Sequence, residues 1–142
     1  MPGAPCRWRT LRDHTIESSK ELALAAVDAA LTKNALEPIL LRVAEQCDYA
    51  NYVLVVSGRS GRQVEAIAEA IQSGMKELGN DSLGREGDRR GQWILLDFND
   101  LVVHIFYHPV REHYDLEGLW ADAEKVELEV PPELRHAAAV YG

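Results

Sequence analysis

Two apolar runs, Trp93-Ile94-Leu95-Leu96-Asp97-Phe98 and Leu101-Val102-Val103-His104-Ile105-Phe106-Tyr107, flank the pair Asn99-Asp100. Both runs are rich in β-branched and aromatic residues, and the pair between them tolerates the positive φ of a tight turn. The pattern predicts a two-residue β-hairpin. With Asn99 and Asp100 as the loop, Phe98 faces Leu101, Leu96 faces Val103, and Ile94 faces Ile105. Side chains alternate across a strand, so these six share one wholly apolar face. The other face sets Trp93, Leu95 and Asp97 opposite Phe106, His104 and Val102. One side reads as core and the other as a mixed, working surface.

The rest of the chain is organised around this hairpin. Met1 to about Thr15 contains Pro, Gly and Arg without periodicity and reads as a leader. Ser18 and Glu21 have the spacing of a capping box, and Leu24, Val27 and Leu31 then recur at helical spacing. That helix is expected to end near Asn34. Glu37-Pro38 breaks the pattern before a short strand at Ile39–Val43, with Pro38 placing the strand's start at a sheet edge. Tyr52-Val53-Leu54-Val55-Val56 is the near-continuous apolar run of a strand buried on both faces.

Ser60 and Gln63 repeat the capping-box spacing. Val64, Ile67, Ala68, Ile71, Met75 and Leu78 form one stripe of a long helix that Gly79 stops. A short edge strand is expected near Ser82–Arg85, and His108-Pro109 ends the second hairpin strand. Leu116, Leu119 and Trp120 predict a short helix over Asp115–Asp122 packed back on the sheet. The expected organisation is a leader over 1–15, one small domain over 16–125 and a tail over 126–142. Its fold class is α/β, a mixed β-sheet flanked by helices.

Charge narrows the partners. The chain has 142 residues, and 23 Asp and Glu against 15 Lys and Arg leave a net charge of −8. Such a length can bury ~70% of its unfolded surface. Phosphate backbones need basic patches, so bare nucleic acid is not expected as the main contact. A basic protein would be steered in by this field, although the same charge also serves solubility alone. Cys6 and Cys47 suggest neither a disulfide framework nor a zinc site. No apolar run has signal-peptide or membrane-span length, and a cytoplasmic protein is expected.

Candidate chemistry is thin. Ser57-Gly58-Arg59-Ser60-Gly61, between a buried strand and a helix, has the shape of an anion-binding turn. A nucleotidyl-transfer site would add two carboxylates alternating on a strand to hold magnesium. Here Asp97 is followed by Asn99 where the second is wanted, and Asp100 falls in the turn. No Gly-Lys-Ser/Thr makes a P-loop, and Ser57 and Ser60 lie in no Gly-x-Ser-x-Gly elbow. Turn and helix cap account for the stretch, with a nucleotide-binding or nucleotidyl-transferring enzyme as the alternative. His104 and His108 stand four residues of strand apart, ~13 Å, too far to share one ion. His104 lies diagonally from Asp97, which favours a hydrogen bond between them. No catalytic residues, metal or cofactor are assigned. Trp93 and Phe106 are interface-type residues that fit either a partner surface or a second core layer.

Four stretches taken together carry a family resemblance. They are Ser57-Gly-Arg-Ser-Gly-Arg-Gln-Val-Glu-Ala-Ile-Ala68, Arg85-Glu86-Gly87, Gly91 to Phe106, and Arg111-Glu-His-Tyr-Asp-Leu-Glu-Gly-Leu-Trp120. In this order and spacing the chain resembles the ribosomal silencing factors of the RsfS/Iojap family, over about Ile16 to Asp122. The resemblance implies a nucleotidyltransferase-like fold without a need for catalysis. It implies binding to the large ribosomal subunit through the ribosomal protein numbered fourteen. Occupying that face would block subunit joining and repress translation, with a further role in large-subunit maturation, and a homodimer is expected.

Carried over by motif, the partner-binding residues are Glu86, Trp93, Asp97, Val102, His104, Arg111, Tyr114 and Glu117. Trp93 is the expected apolar anchor, with Glu86 and Asp97 pairing basic groups. The chain departs from the family pattern in two places. Glu37-Pro-Ile-Leu-Leu-Arg-Val43 replaces a segment with more carboxylates. Gln63 stands where many members carry a histidine.

Overall fold

Strand β2 (Tyr52–Gly58) is buried at all seven positions, as a strand with apolar side chains on both faces must be. In the computed structural model it lies inside a six-stranded mixed sheet. The structure describes residues 20–44, 50–80, 82–87, 92–111, 123–128 and 130. The remaining strands are β1 (Leu36–Arg42), β3 (Gly84–Gly87), β4 (Trp93–Asp97), β5 (Leu101–Tyr107) and β6 (Glu124–Val126), in the sheet order β3-β4-β5-β2-β1-β6. Among the described residues only β2 and β5 run parallel, and the other neighbours are antiparallel. The mixed sheet with helices is the fold class expected from the sequence.

The hairpin forms in the predicted register. Trp93 pairs with Phe106, Ile94 with Ile105, Leu95 with His104, Leu96 with Val103, and Asp97 with Val102. Phe98 N–H donates to the Leu101 carbonyl at 2.8 Å, and Asn99 takes φ 74°. A second tie fixes the turn to β2, because Asn51 and Tyr52 N–H both donate to the Asp100 carbonyl, at 2.8 and 3.0 Å.

Two helices cover the apolar face of Ile94, Leu96, Val103 and Ile105. Helix α1 spans residues 20–31 and helix α2 spans Gly61–Glu77. In α2 the expected stripe is buried at Val64, Ile67, Ala68, Ile71 and Met75. Leu78 is the exception: it is the C-cap and 56% exposed. Gly79 at φ 78° ends the helix, with its N–H on Lys76 O and that of Asn80 on Met75 O, the paired bonds of a Schellman motif.

In α1 the buried stripe is Ala23, Ala26, Val27 and Ala30, while Leu24 and Leu31 pack at its margin. A Cβ on Gly74 of α2 would stand 3.4 Å from the Ala29 Cβ, so the helices meet through small side chains. Ser18 lies outside the described residues.

The capping box of α2 does more than close one helix. Gln63 N–H donates to Ser60 Oγ at 3.1 Å, and Gln63 Oε1 accepts from Arg59 N–H. The Gln63 amide also donates to Lys33 O at 2.9 Å and Asn34 O at 3.2 Å, two of the carbonyls at the end of α1. One side chain therefore satisfies the start of one helix and the end of the other. Gln63→Ala is expected to cost about 1–2 kcal/mol in urea unfolding, with Gln63→Glu losing the part donated to α1.

Three expectations shift. Strand β1 begins at Leu36, three residues early, because a bulge accommodates Pro38. Leu36 pairs with Ser57 and Ile39 with Val55, leaving one extra residue, and Glu37 takes φ 44°. β6 pairs β1 only over Leu40–Arg42, so Pro38 sits where no sixth strand needs its N–H. The edge strand near Ser82 is β3, displaced to Gly84–Gly87. The expected tail contains packed structure, since Val126 ends β6 and Val130 is buried against Leu36. The helix expected over 115–122 lies outside the described residues.

Candidate functional site

The front of the sheet, opposite the helices, holds the predicted site. Registers define one row across it, Glu86-Leu95-His104-Val55-Ile39, flanked by Trp93-Phe106-Ser57 and Gly84-Asp97-Val102-Val53-Leu41. Over β5, β2 and β1 this face is a second core layer: Phe106, Val102, Val55, Val53 and Leu41 are buried. Over β4 and β3 it opens. Trp93, Leu95, Asp97 and His104 are half-buried, and all of β3 is exposed. The open margin is an apolar pair, Trp93 and Leu95, framed by the carboxylates of Asp97 and Glu86.

His104 holds Trp93 in place. The indole Nε1–H donates to His104 Nδ1 at 3.3 Å, and the rings stack at 6.3 Å between centroids and 21° between planes. On its other side His104 stacks on Phe106 at 6.1 Å and 5°. Burial disfavours the imidazolium and lowers the pKa from 6.5 to about 4, so the ring is neutral at pH 7 with Nδ1 free to accept. The unfolded chain takes up this proton first as pH falls. His104 therefore contributes stability that is present above pH 6.5 and lost progressively down to about pH 4. We expect a loss on the order of 2 kcal/mol across that window, allowing for the ring's residual exposure, and His104→Phe should flatten that part of the pH–stability curve.

The expected Asp97–His104 bond does not form. Asp97 Oδ1 accepts the Asn99 N–H at 2.8 Å, a bond two residues away that closes the hairpin turn. Asp97 is held by its own turn, and His104 by Trp93.

Glu86 faces Leu95 on the front and has no ion pair among the described residues. Its neighbour Arg85 points to the helix side, bonding Gln72 Oε1 at 3.1 Å and forming an ion pair with Glu65 of α2. Two expected surface residues are buried. Val102 is 6% exposed in the second core layer. Arg111 is 4% exposed, its Nη1 donating to Ser57 Oγ and to the Glu37 carbonyl at 2.9 Å each. Val102 and Arg111 thus belong to the buried part of the molecule beside the open margin and not to the margin itself. Tyr114 and Glu117 lie outside the described residues. Sequence reasoning passed over Leu83, 70% exposed beside Asp97, whose N–H donates to the Asp97 carbonyl at 2.6 Å. The signal was present as a lone leucine in a polar, Gly-rich stretch.

The Ser57–Gly61 turn is accounted for by packing. Ser57 Oγ is buried on Arg111, and Ser60 Oγ caps α2. A Cβ on Gly58 would stand 3.0 Å from Val64 Cγ2 and Val64 N, so glycine lets β2 run close under the helix start. Among the described residues no three His, Cys, Asp or Glu side chains gather to hold a metal ion. An open depression of about 370 Å³ lies far across the sheet, lined by residues that include Pro38, Leu40, Val126, Leu128 and Val130. No described helix is long and apolar enough to cross a membrane.

Comparison with known proteins agrees with this fold and identifies the family. The family model described as ribosomal silencing factor during starvation matches residues 16–140. A ribosomal silencing factor from Halalkalibacterium halodurans is 38% identical over 112 residues, 79% of this chain and 96% of that protein. The crystal structure of a Chromobacterium violaceum protein superposes with a TM-score of 0.70 at 33% identity, covering 82% of this chain and 96% of the other. A mouse protein named for mitochondrial assembly of the ribosomal large subunit is 29% identical over 91 residues, 62% of this chain and 40% of that protein.

Proposed function

The chain belongs to the ribosomal silencing factor family, and on that premise we propose that it represses translation by occupying the large ribosomal subunit. The contact is the ribosomal protein numbered fourteen, and the open margin of the sheet is the surface that meets it. Bound there, the protein covers area that the small subunit must reach, so joining fails by competition for space rather than by chemistry. The observation that carries this reading is the half-open front face. Trp93 and Leu95 offer the apolar centre of an interface, and Asp97 and Glu86, which has no ion pair among the described residues, offer a charged rim.

The net charge of −8 suits a basic ribosomal protein, where rim charges set orientation and on-rate more than affinity. The same site serves maturation of the large subunit, in keeping with the name of the mouse relative. The protein acts in the cytoplasm and forms a homodimer.

The test mixes purified small and large subunits with increasing amounts of the protein and follows joined ribosomes by sedimentation. The expected result is a dose-dependent fall in joined ribosomes, with the protein travelling with the large subunit. If it travels with neither subunit, or if joining is unchanged at saturation, the proposal is wrong.

A further inference from the structure

The backbone geometry of the hairpin decides which way the edge strand β3 presents its hydrogen-bonding groups. Phe98 N–H donates to Leu101 O at 2.8 Å and Tyr107 N–H to Gln92 O at 2.9 Å. Residues 92, 94, 96 and 98 therefore turn their backbone groups toward β5. Direction alternates along a strand, so Trp93, Leu95 and Asp97 turn theirs toward β3. There Asp97 is opposite Gly84 and Leu95 opposite Glu86. By the same alternation Arg85 and Gly87 point their backbone groups outward, and all four β3 residues are exposed.

Resting on the ribosomal reading above, we propose that β3 is a strand-addition site, where an extended basic segment of the large-subunit protein pairs with the outward groups of Arg85 and Gly87. Main-chain bonds at an exposed sheet edge supply affinity, and side chains on alternate sides supply choice. The Arg85 side chain is drawn onto α2 by Glu65 and Gln72, clear of the edge. On the front the incoming strand would meet Glu86, a carboxylate without an ion pair among the described residues, in a chain of net charge −8. A lysine or arginine opposite Glu86 is the complementary choice.

A second copy of the chain fits this edge poorly. A symmetric antiparallel pairing centred on Glu86 uses the outward groups of Arg85 and Gly87, yet it sets Glu86 against its own counterpart. Like charges directly opposite destabilise a strand pair, and such charges are how exposed edges resist self-association.

The experiment compares Arg85→Ala with Arg85→Pro in binding to isolated large subunits. Both lose the ion pair with Glu65, but only proline removes the outward N–H, and an edge position pointing away from the sheet tolerates it. Arg85→Pro is expected to bind about tenfold more weakly than Arg85→Ala, the size of one lost interfacial hydrogen bond. Alongside, amide exchange in the wild-type complex should slow at Arg85 and Gly87, while Gly84 and Glu86, already paired to β4, change little. If Arg85→Pro also speeds exchange at Glu86, β3 has detached and the wild-type exchange pattern alone decides. Equal affinity of two variants with β3 intact, or unchanged exchange at Arg85 and Gly87 in the complex, overturns strand addition while leaving ribosome binding standing. Failure of the wild type to bind large subunits removes both.

Discussion

Trp93→Ala is expected to lower the affinity for large ribosomal subunits about a hundredfold, with wild-type secondary structure retained. Trp93 is the largest side chain on the open margin and stands at the start of β4, next to Leu95 on the same face and opposite Phe106 of β5. Its orientation is set before any partner arrives, because Nε1–H is held by His104 at 3.3 Å and the two rings stack. A preset aromatic loses little rotamer freedom on binding, which is why such residues dominate interfaces. Trp93→Phe keeps most of the apolar area and loses the held N–H, so an intermediate loss is expected. Calorimetric titration of isolated large subunits reads both variants. If Trp93→Ala binds within threefold of wild type while folded, Trp93 is not the anchor.

Arg111→Met should cost stability rather than binding directly, by about 3–4 kcal/mol in urea unfolding. Arg111 is 4% exposed, and its guanidinium bonds two acceptors from distant segments, Ser57 Oγ and the Glu37 carbonyl. Glu37 takes φ 44° at the bulge of β1. Methionine fills much of the volume but leaves the buried Ser57 Oγ and the part-buried Glu37 carbonyl without that charged donor. The residue thereby ties the turn after β5 to the ends of β2 and β1. A loss below 1 kcal/mol would show that the tie is incidental. At a protein concentration and temperature where the variant stays folded, large-subunit binding should be near wild type, which separates support from contact.

The elements legible in the sequence are those whose causes act over a few residues. Asn99 beside Asp100 set the hairpin's loop, and strand alternation then gave all five residue pairs. Unbroken apolar character marked β2, and Ser60 and Gly79 marked the ends of α2. Motif order pointed to the ribosomal silencing factor family. Misjudged features involve competition between local and distant contacts. Leu24 and Leu31 have the spacing of a buried stripe, but Gly74 lets α1 settle closer through alanines. Asp97 lies across from His104, but its own turn claims it first. Strand β6 is short and carries Glu124 and Lys125, and it exists through its pairing with β1.

The sequence by itself determined that the hairpin has two unlike faces, because side chains alternate and the apolar ones fall on one side. It equally determined that Glu86, Trp93 and Asp97 would stand near that hairpin. Only the tertiary structure decided how much of the second face stays open. Phe106 and Val102 went under cover and Trp93 and Leu95 stayed at the margin, because burial depends on which distant segments reach each strand. The same packing took Arg111 out of the surface and left β3 as an edge. A side chain's exposure is a property of its neighbours in space, and those are set by the assembled sheet.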